Sequence, residues 1–321
     1  MTPRINPIGI MSHLERLSQS NVDKQLNLMQ AAGIQWVRQE FVWSSLELTS
    51  GTWNFSNYDY IVNGIVSRGM GIIGLLSQYN VPAWYGTPWN KPPTPTDYAT
   101  WISVVVSRYA GQISLWEAGN EPNEPTFWYP AASAAAYTVL LQSGYNAIRA
   151  INPSLKVISA GLSPTLALTA DSFLTQMYAS GARGYMDYIG YHPYSWPSSP
   201  DDNTAHHKFS MLANLKTIMA NNGDGNKQIM ATEVGWPTYS GGNTEADQAT
   251  YIGRVYQKIM HESFQYVALA CIYDFLDDGT DPNNPEHHFG LLHTDYSQKP
   301  AYSTMLAERA DYNANFTPIN P

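Results

Sequence analysis

The 321-residue chain holds one cysteine, Cys271, which excludes an internal disulfide framework and any cysteine-built zinc cluster. Charge is also scarce. Asp, Glu, Lys and Arg make up 13% of the residues, about half the usual share. The 17 basic residues against 26 acidic ones leave a net charge of −9 and form no run, so the electrostatic footprint of nucleic-acid binding is missing. No apolar run approaches the roughly 18 residues that span a bilayer, so membrane insertion is not expected. The start, Met1-Thr2-Pro3-Arg4, lacks the basic and apolar regions of a signal peptide. A start methionine can stand where a signal was removed, and the expected compartment is extracellular or periplasmic, with the cytoplasm left open.

Aromatic and small polar residues fill the gap left by charge. Hydrophobic residues reach 44%, with 22 Tyr and 10 Trp, which excludes disorder as the main state. A weakly charged surface rich in Tyr, Asn, Ser and Thr suits a neutral, hydroxyl-bearing ligand better than a charged one.

Short apolar runs alternate with longer amphipathic stretches along the chain. The runs are Pro7 to Met11, Trp36 to Phe41, Gly71 to Ser77, Ile113 to Ala118, Lys156 to Ala160, Tyr185 to Tyr191, Gln228 to Thr232 and Ala268 to Phe275. Helical patterns fall between and after them, at Val22 to Ala32, Tyr58 to Arg68, Asp97 to Tyr109, Ala135 to Ile151, Asp171 to Ser180, Ala205 to Ala220, Glu245 to Glu262 and Ala301 to Asn313. Ser20-x-x-Asp23 offers a cap for the first helix and Gly33 a stop. Strict strand–helix alternation favours a parallel sheet with right-handed crossovers. Eight such units in this length predict an α/β fold, a (β/α)8 TIM barrel forming a single catalytic domain over 1–321. The rival, an open doubly wound sheet, would need a glycine-rich phosphate loop after the first strand, and none is present.

Active-site residues of such barrels lie at the C-terminal ends of the strands. Strand two ends in Arg38-Gln39-Glu40-Phe41, with Trp43 just beyond; strand four in Trp116-Glu117-Ala118-Gly119-Asn120-Glu121-Pro122-Asn123; strand six in Tyr191-His192-Pro193-Tyr194; strand seven in Thr232-Glu233-Val234-Gly235-Trp236; strand eight in Tyr273-Asp274-Phe275. Glu121 and Glu233 therefore face each other across the mouth. Two such carboxyls are what glycoside hydrolysis requires, one ionised to attack the anomeric carbon and one protonated to release the leaving oxygen. Arg38 and Tyr194 are placed to donate to the ionised one.

The two carboxylates carry a family resemblance with them. Trp116-Glu117-x-x-Asn120-Glu121-Pro122-Asn123 closely resembles the acid/base motif of the clan A glycoside hydrolases, family 39 above all, and Thr232-Glu233-x-Gly235-Trp236 resembles the nucleophile motif of strand seven. The resemblance runs from Ile5 to Lys299-Pro300-Ala301-Tyr302. It implies a retaining β-glycosidase with Glu121 as acid/base and Glu233 as nucleophile, acting on a polysaccharide or oligosaccharide as a monomer, without cofactor or metal. It further implies Asn120 on the sugar 2-OH, His192 and Tyr194 as the strand-six His-x-Tyr pair with Tyr194 directed at the nucleophile, and Arg38 steadying that nucleophile. Many clan members set a Trp at strand eight under the reacting sugar. Here Tyr273, Phe275 or Trp236 would take its place. Family 39 xylosidases carry a further β-domain for which 321 residues leave no room, which shifts the expectation from an exo-acting β-xylosidase or β-glucosidase toward endo-acting members that cut exopolysaccharides.

Each of these readings has a plainer counterpart. Arg38 also fits an ion pair with Glu40, His192 a core histidine, and Asn120 a turn. The loop tryptophans Trp43, Trp84, Trp89, Trp128, Trp196 and Trp236 are each either sugar platforms or packing, and together they suggest several subsites. Trp36, Trp53, Trp101 and Trp116 read as core. His206-His207 and His287-His288 resemble metal ligands, but no third ligand is spaced to join them. Two other readings stay open, a carbohydrate-binding barrel without catalysis and a metal-dependent barrel hydrolase.

Overall fold

A computed structural model describes residues 1–202 and 209–321. The His206-His207 pair and the first part of the helix expected from Ala205 fall outside these residues. Eight parallel strands form the barrel: β1 (Ile8–Met11), β2 (Trp36–Glu40), β3 (Gly71–Leu76), β4 (Leu115–Asn120), β5 (Lys156–Gly161), β6 (Ile189–Tyr191), β7 (Ile229–Val234) and β8 (Val267–Ile272). Sequence neighbours pair in parallel from β1 to β5 and from β6 to β8, and β1 pairs with β8. Isolated parallel bridges, Ile158 to Tyr188 and Leu162 to Tyr191, close the ring between β5 and β6. The predicted (β/α)8 barrel is therefore the fold.

The long helices are α1 (Gln19–Ala31), α2 (Ser56–Ser67), α3 (Pro95–Tyr109), α4 (Ala134–Ile151), α5 (Ala170–Ala179), α6 (Met211–Asn221), α7 (Glu245–His261) and α8 (Pro300–Asn315). Helix starts follow local capping chemistry: Thr94 and Ser133 accept from the backbone three residues on, and Thr244 and Asp247 complete a capping box. One cap differs from expectation. Ser18, not Ser20, accepts from the Asn21 amide, and α1 begins at Gln19. Ser18 is the residue with extended backbone (φ −67°, ψ 153°), as capping geometry requires.

Two hydrophobic layers follow from the two-residue period of the strands. Outward residues such as Trp116 and Ala118 pack against the helix ring, while Trp36, Ile73, Leu115, Ile158, Met230 and Cys271 fill the barrel interior with Ile5. Below them a short parallel pair, Thr2–Arg4 with Phe316–Pro318, joins the two ends of the described chain, and Arg4 donates to the Val267 carbonyl at 2.7 Å at the start of β8. The interior is thus sealed at the N-terminal end of the strands, and the polar chemistry is left to the other end.

Candidate active site

Interior positions turn from apolar to charged as the strands reach the mouth. On β2 the inward series is Trp36, Arg38, Glu40; on β4 it is Leu115 then Glu117. Arg38 and Glu117 are completely buried and joined by an Nε–Oε2 bond of 2.6 Å. Glu117 uses its other oxygen to accept from the Gly161 amide at 3.0 Å. Burial alone would make these charges costly, but each is paired and hydrogen-bonded. Arg38 then spends its outer nitrogens at the mouth, Nη1 on Glu233 Oε1 and Nη2 on Asn120 Oδ1 (2.8 Å). The Arg38–Glu40 ion pair held open by the sequence is replaced by these contacts. Glu40 accepts from Ser77 Oγ at 2.7 Å instead.

Two local backbone irregularities aim the carboxylates. Gly119 has φ +107° and Glu121 φ +45°, so β4 turns sharply at its end. The first value excludes ordinary side chains, and the second places a glutamate in a region costing of order 1–3 kcal/mol. The pairing of β7 with β8 slips between Ala231 and Val234, which brackets Glu233. Such bulges re-aim side chains beside active sites. Gly161 is required for a different reason: a Cβ there would overlap the His192 ring.

Glu121, His192 and Glu233 come together with their reactive atoms within 4.8 Å of one another. His192 is wholly buried. Its Nδ1 lies 2.8 Å from Glu121 Oε1 and 3.7 Å from Glu233 Oε2, and its Nε2 lies 3.1 Å from Thr232 Oγ1. Tyr194 donates to Glu233 Oε2 at 2.7 Å. Asn120 is clamped on three sides: Gln78 exchanges two 2.8 Å bonds with its backbone, and Arg38 engages its Oδ1, so its amide NH2 remains to donate.

The two carboxylates differ in their charge environment. Burial and the neighbouring Glu233 push the Glu121 pKa above the ordinary range, although contact with His192 opposes the shift. Burial would also raise Glu233, but His192, Arg38 and the Tyr194 hydroxyl outweigh it and hold that group below the ordinary range. One carboxyl is thus biased to keep its proton and its neighbour to lose it.

Above them opens a cleft of about 820 Å³. Arg38, Asn120, Glu121, Tyr194, Glu233 and Tyr273 line it, with His192 just beneath. One aromatic wall comes from the loops after β3 and β4, where Tyr79 and Phe127 stack at 4.9 Å and Trp89 meets Tyr79 edge-on. A second comes from the loops after β6 and β8, where Tyr194, Trp196, Tyr273 and Phe289 make edge-on contacts. Tyr79, Phe127 and Phe289 were missed in the sequence because their loops carry no motif. Glu117 left a trace, two residues past the interior Leu115.

Two expected sugar contacts are not at the cleft. Trp43 is buried, stacks on Trp101 at 5.7 Å and donates to Glu47. Trp236 is fully buried, donates to the Ser198 carbonyl and packs on Tyr251. Both follow their strands but turn outward into the helix layer, where large rings bury more apolar area. Trp84 and Trp128 also lie outside the cleft lining, leaving Trp89 and Trp196 from the loop set. Among the described residues, two groups could hold a metal ion, Glu121-His192-Glu233 and His13-Asp274-Asp278. The first has Arg38 and Tyr194 on Glu233 and His192 on Glu121, so a cation would compete with a guanidinium for the same oxygens. His287 and His288 belong to neither group.

Comparison with known proteins places this geometry in company. Residues 13–91 match the family model of glycoside hydrolase family 42, described as beta-galactosidase. Endo-1,4-beta-xylanase 3 of Hypocrea jecorina is 36% identical over 81 residues, 25% of this chain and 23% of that one. A family 39 glycoside hydrolase from Bacteroides cellulosilyticus WH2 superposes with a TM-score of 0.78 at 24% identity, over 96% of this chain and 64% of that one. A monomeric beta-xylosidase from Caulobacter crescentus CB15 superposes with a TM-score of 0.70 at 16% identity, over 95% of this chain and 71% of that one. The chain thus spans less than two thirds of the first of these structures and about a quarter of the xylanase. At 24% and 16% identity these superpositions extend the likeness in fold, a (β/α)8 barrel, over nearly the whole chain.

Proposed function

We propose that this chain is a retaining β-glycosidase that cuts within a neutral polysaccharide. The observation that carries this reading is the pair Glu121 and Glu233, with oxygens within 4.8 Å and oppositely biased protonation. Retaining enzymes hold their carboxyls about 5–5.5 Å apart, whereas inverting ones leave about 6.5–9.5 Å for a water. Glu233, ionised and steadied by Arg38 and Tyr194, attacks the anomeric carbon while Glu121 gives its proton to the departing oxygen. Glu121 then takes a proton from the water that releases the sugar from Glu233. Asn120 offers its free amide hydrogens to the 2-OH, and His192 orients Glu121 from below.

Aromatic walls on both sides of the pair support internal cleavage, since each offers stacking faces for rings before and after the scissile bond. The similar enzymes include an endo-1,4-beta-xylanase and a beta-xylosidase, which makes β-linked xylan the first substrate to try. A polymer too large to enter a cell would be met outside it, which supports the extracellular or periplasmic placement. Incubation with polysaccharides and aryl β-glycosides, products sized by chromatography, tests the reading. Ladders of oligosaccharides from the wild type and none from Glu233→Gln are expected. Release of monosaccharide alone would replace internal by terminal cleavage, and full turnover by Glu233→Gln would overturn the assignment.

A further inference from the structure

Beside the cleft, between the loops that follow β8 and β1, lies a second cluster that the proposed hydrolysis leaves unused. Asp274 is 3% exposed, and its Oδ1 is buried without a hydrogen-bond partner. A desolvated carboxylate oxygen left unpaired costs several kcal/mol as a rule. Lys299, whose charge is felt at Asp274, does not bond it: its Nζ is taken by Asp277 Oδ1 (2.7 Å) and Thr238 Oγ1 (3.0 Å). Arg16 is mostly exposed and reaches Glu15. What does surround Asp274 is a donor set, since it, a ring nitrogen of His13 and a carboxylate oxygen of Asp278 lie within 4.8 Å of one another.

We infer that His13, Asp274 and Asp278 form a binding site for one divalent transition cation of the manganese or zinc kind. A proton on Asp274 would relieve one oxygen but would leave no reason for three ligand-type groups to converge. One imidazole with two carboxylates suits Mn²⁺ or Zn²⁺ better than Ca²⁺, which takes oxygen ligands. Bonds of about 2.0–2.2 Å set neighbouring donors closer than 4.8 Å, so the exposed Asp278 closes on the ion by side-chain rotation. The ion would tie the first strand's loop to the last strand's. It would also bear on Tyr273, whose hydroxyl lies 3.5 Å from His13 Nε2 and whose ring lines the cleft. Its role is structural, and it takes no part in the chemistry at Glu121 and Glu233.

Protein freed of metal by chelator and dialysis is titrated with MnCl2 and, separately, ZnCl2, with bound metal counted by equilibrium dialysis and Tm recorded. The wild type is expected to bind one equivalent of at least one of them and to gain about 4 °C at a hundredfold excess over Kd. Asp278→Asn, at an exposed position and compatible with folding, and His13→Gln should lose both effects. Failure of the wild type to bind either ion would overturn the site. So would stoichiometric binding retained by Asp278→Asn, which would move the ion to Glu121-His192-Glu233.

Discussion

Two clusters of carboxylates and a histidine stand at the mouth of one barrel, and they are finished differently. At the ends of β4 and β7 the oxygens of the charged groups are met by Arg38, Tyr194, His192 and a backbone amide. Beside the end of β8 and the start of the loop after β1, Asp274 keeps a buried oxygen with no partner. The first cluster is preorganised: its charges are stabilised before any ligand arrives. The second is incomplete without something to fill it. The same residue types, at the same end of one barrel, thus separate into a saturated set and an unsaturated one by the donors around them.

The comparison can be broken most sharply at Glu233. Glu233→Gln keeps the shape but cannot attack, and turnover on any responsive aryl β-glycoside should fall roughly 10⁴-fold or more. A loss under tenfold in steady-state assays would mean that the saturated cluster is merely structural. Next comes the buried cation that completes it. Arg38→Met leaves Glu117 wholly buried with only the Gly161 amide, and urea titration should show a stability loss of about 3–5 kcal/mol. An unchanged midpoint would show that the pair contributes nothing to finishing the site.

Tyr194→Phe sharpens the comparison, because it removes one donor while leaving the fold alone. A hydrogen bond to a charged group is worth about 1.5–3 kcal/mol, so kcat should fall roughly 10- to 100-fold. The sign of the pH effect follows from the same contact. Burial favours the neutral form of Glu233, and the hydroxyl helps His192 and Arg38 reverse that. Without it the Glu233 pKa rises, so the acid limb of the kcat/KM profile moves to higher pH. A limb that stays put, or moves to lower pH, would contradict the arrangement. The smallest effect is expected from a chelator: hydrolysis unchanged in rate at assay temperature, and Tm lowered. Loss of activity at full folding would make the metal part of the chemistry instead.

Much of the convergence of Glu121 and Glu233 was legible because it is written locally. Asn120-Glu121 and Glu233 sit at strand ends that the alternation of apolar runs locates, and the observed strands match those runs to within a few residues. Arg38 was legible as a donor, but its deeper partner was not. Glu40, two residues away, was the obvious candidate, whereas the real one, Glu117, lies on β4, two strands away, and meets Arg38 inside the barrel. Trp43 and Trp236 failed for a related reason. A position after a strand fixes which end of the barrel a ring occupies but leaves open whether it turns inward to the cleft or outward to the helices. His13 and Asp274 are nearly the length of the chain apart and meet because β1 and β8 close the ring. No spacing rule for metal ligands spans that separation. What the sequence withheld, in each case, was a contact between elements that only the assembled fold brings together.

The central claim is the division of labour between Glu121 and Glu233, and a trapped product tests it most directly. Glu233→Ala, given an aryl β-glycoside and azide, should regain turnover and form the α-glycosyl azide, with the azide attacking from the side the carboxylate has vacated. A β-glycosyl azide, or wild-type turnover without azide, would contradict the assignment of Glu233 as nucleophile.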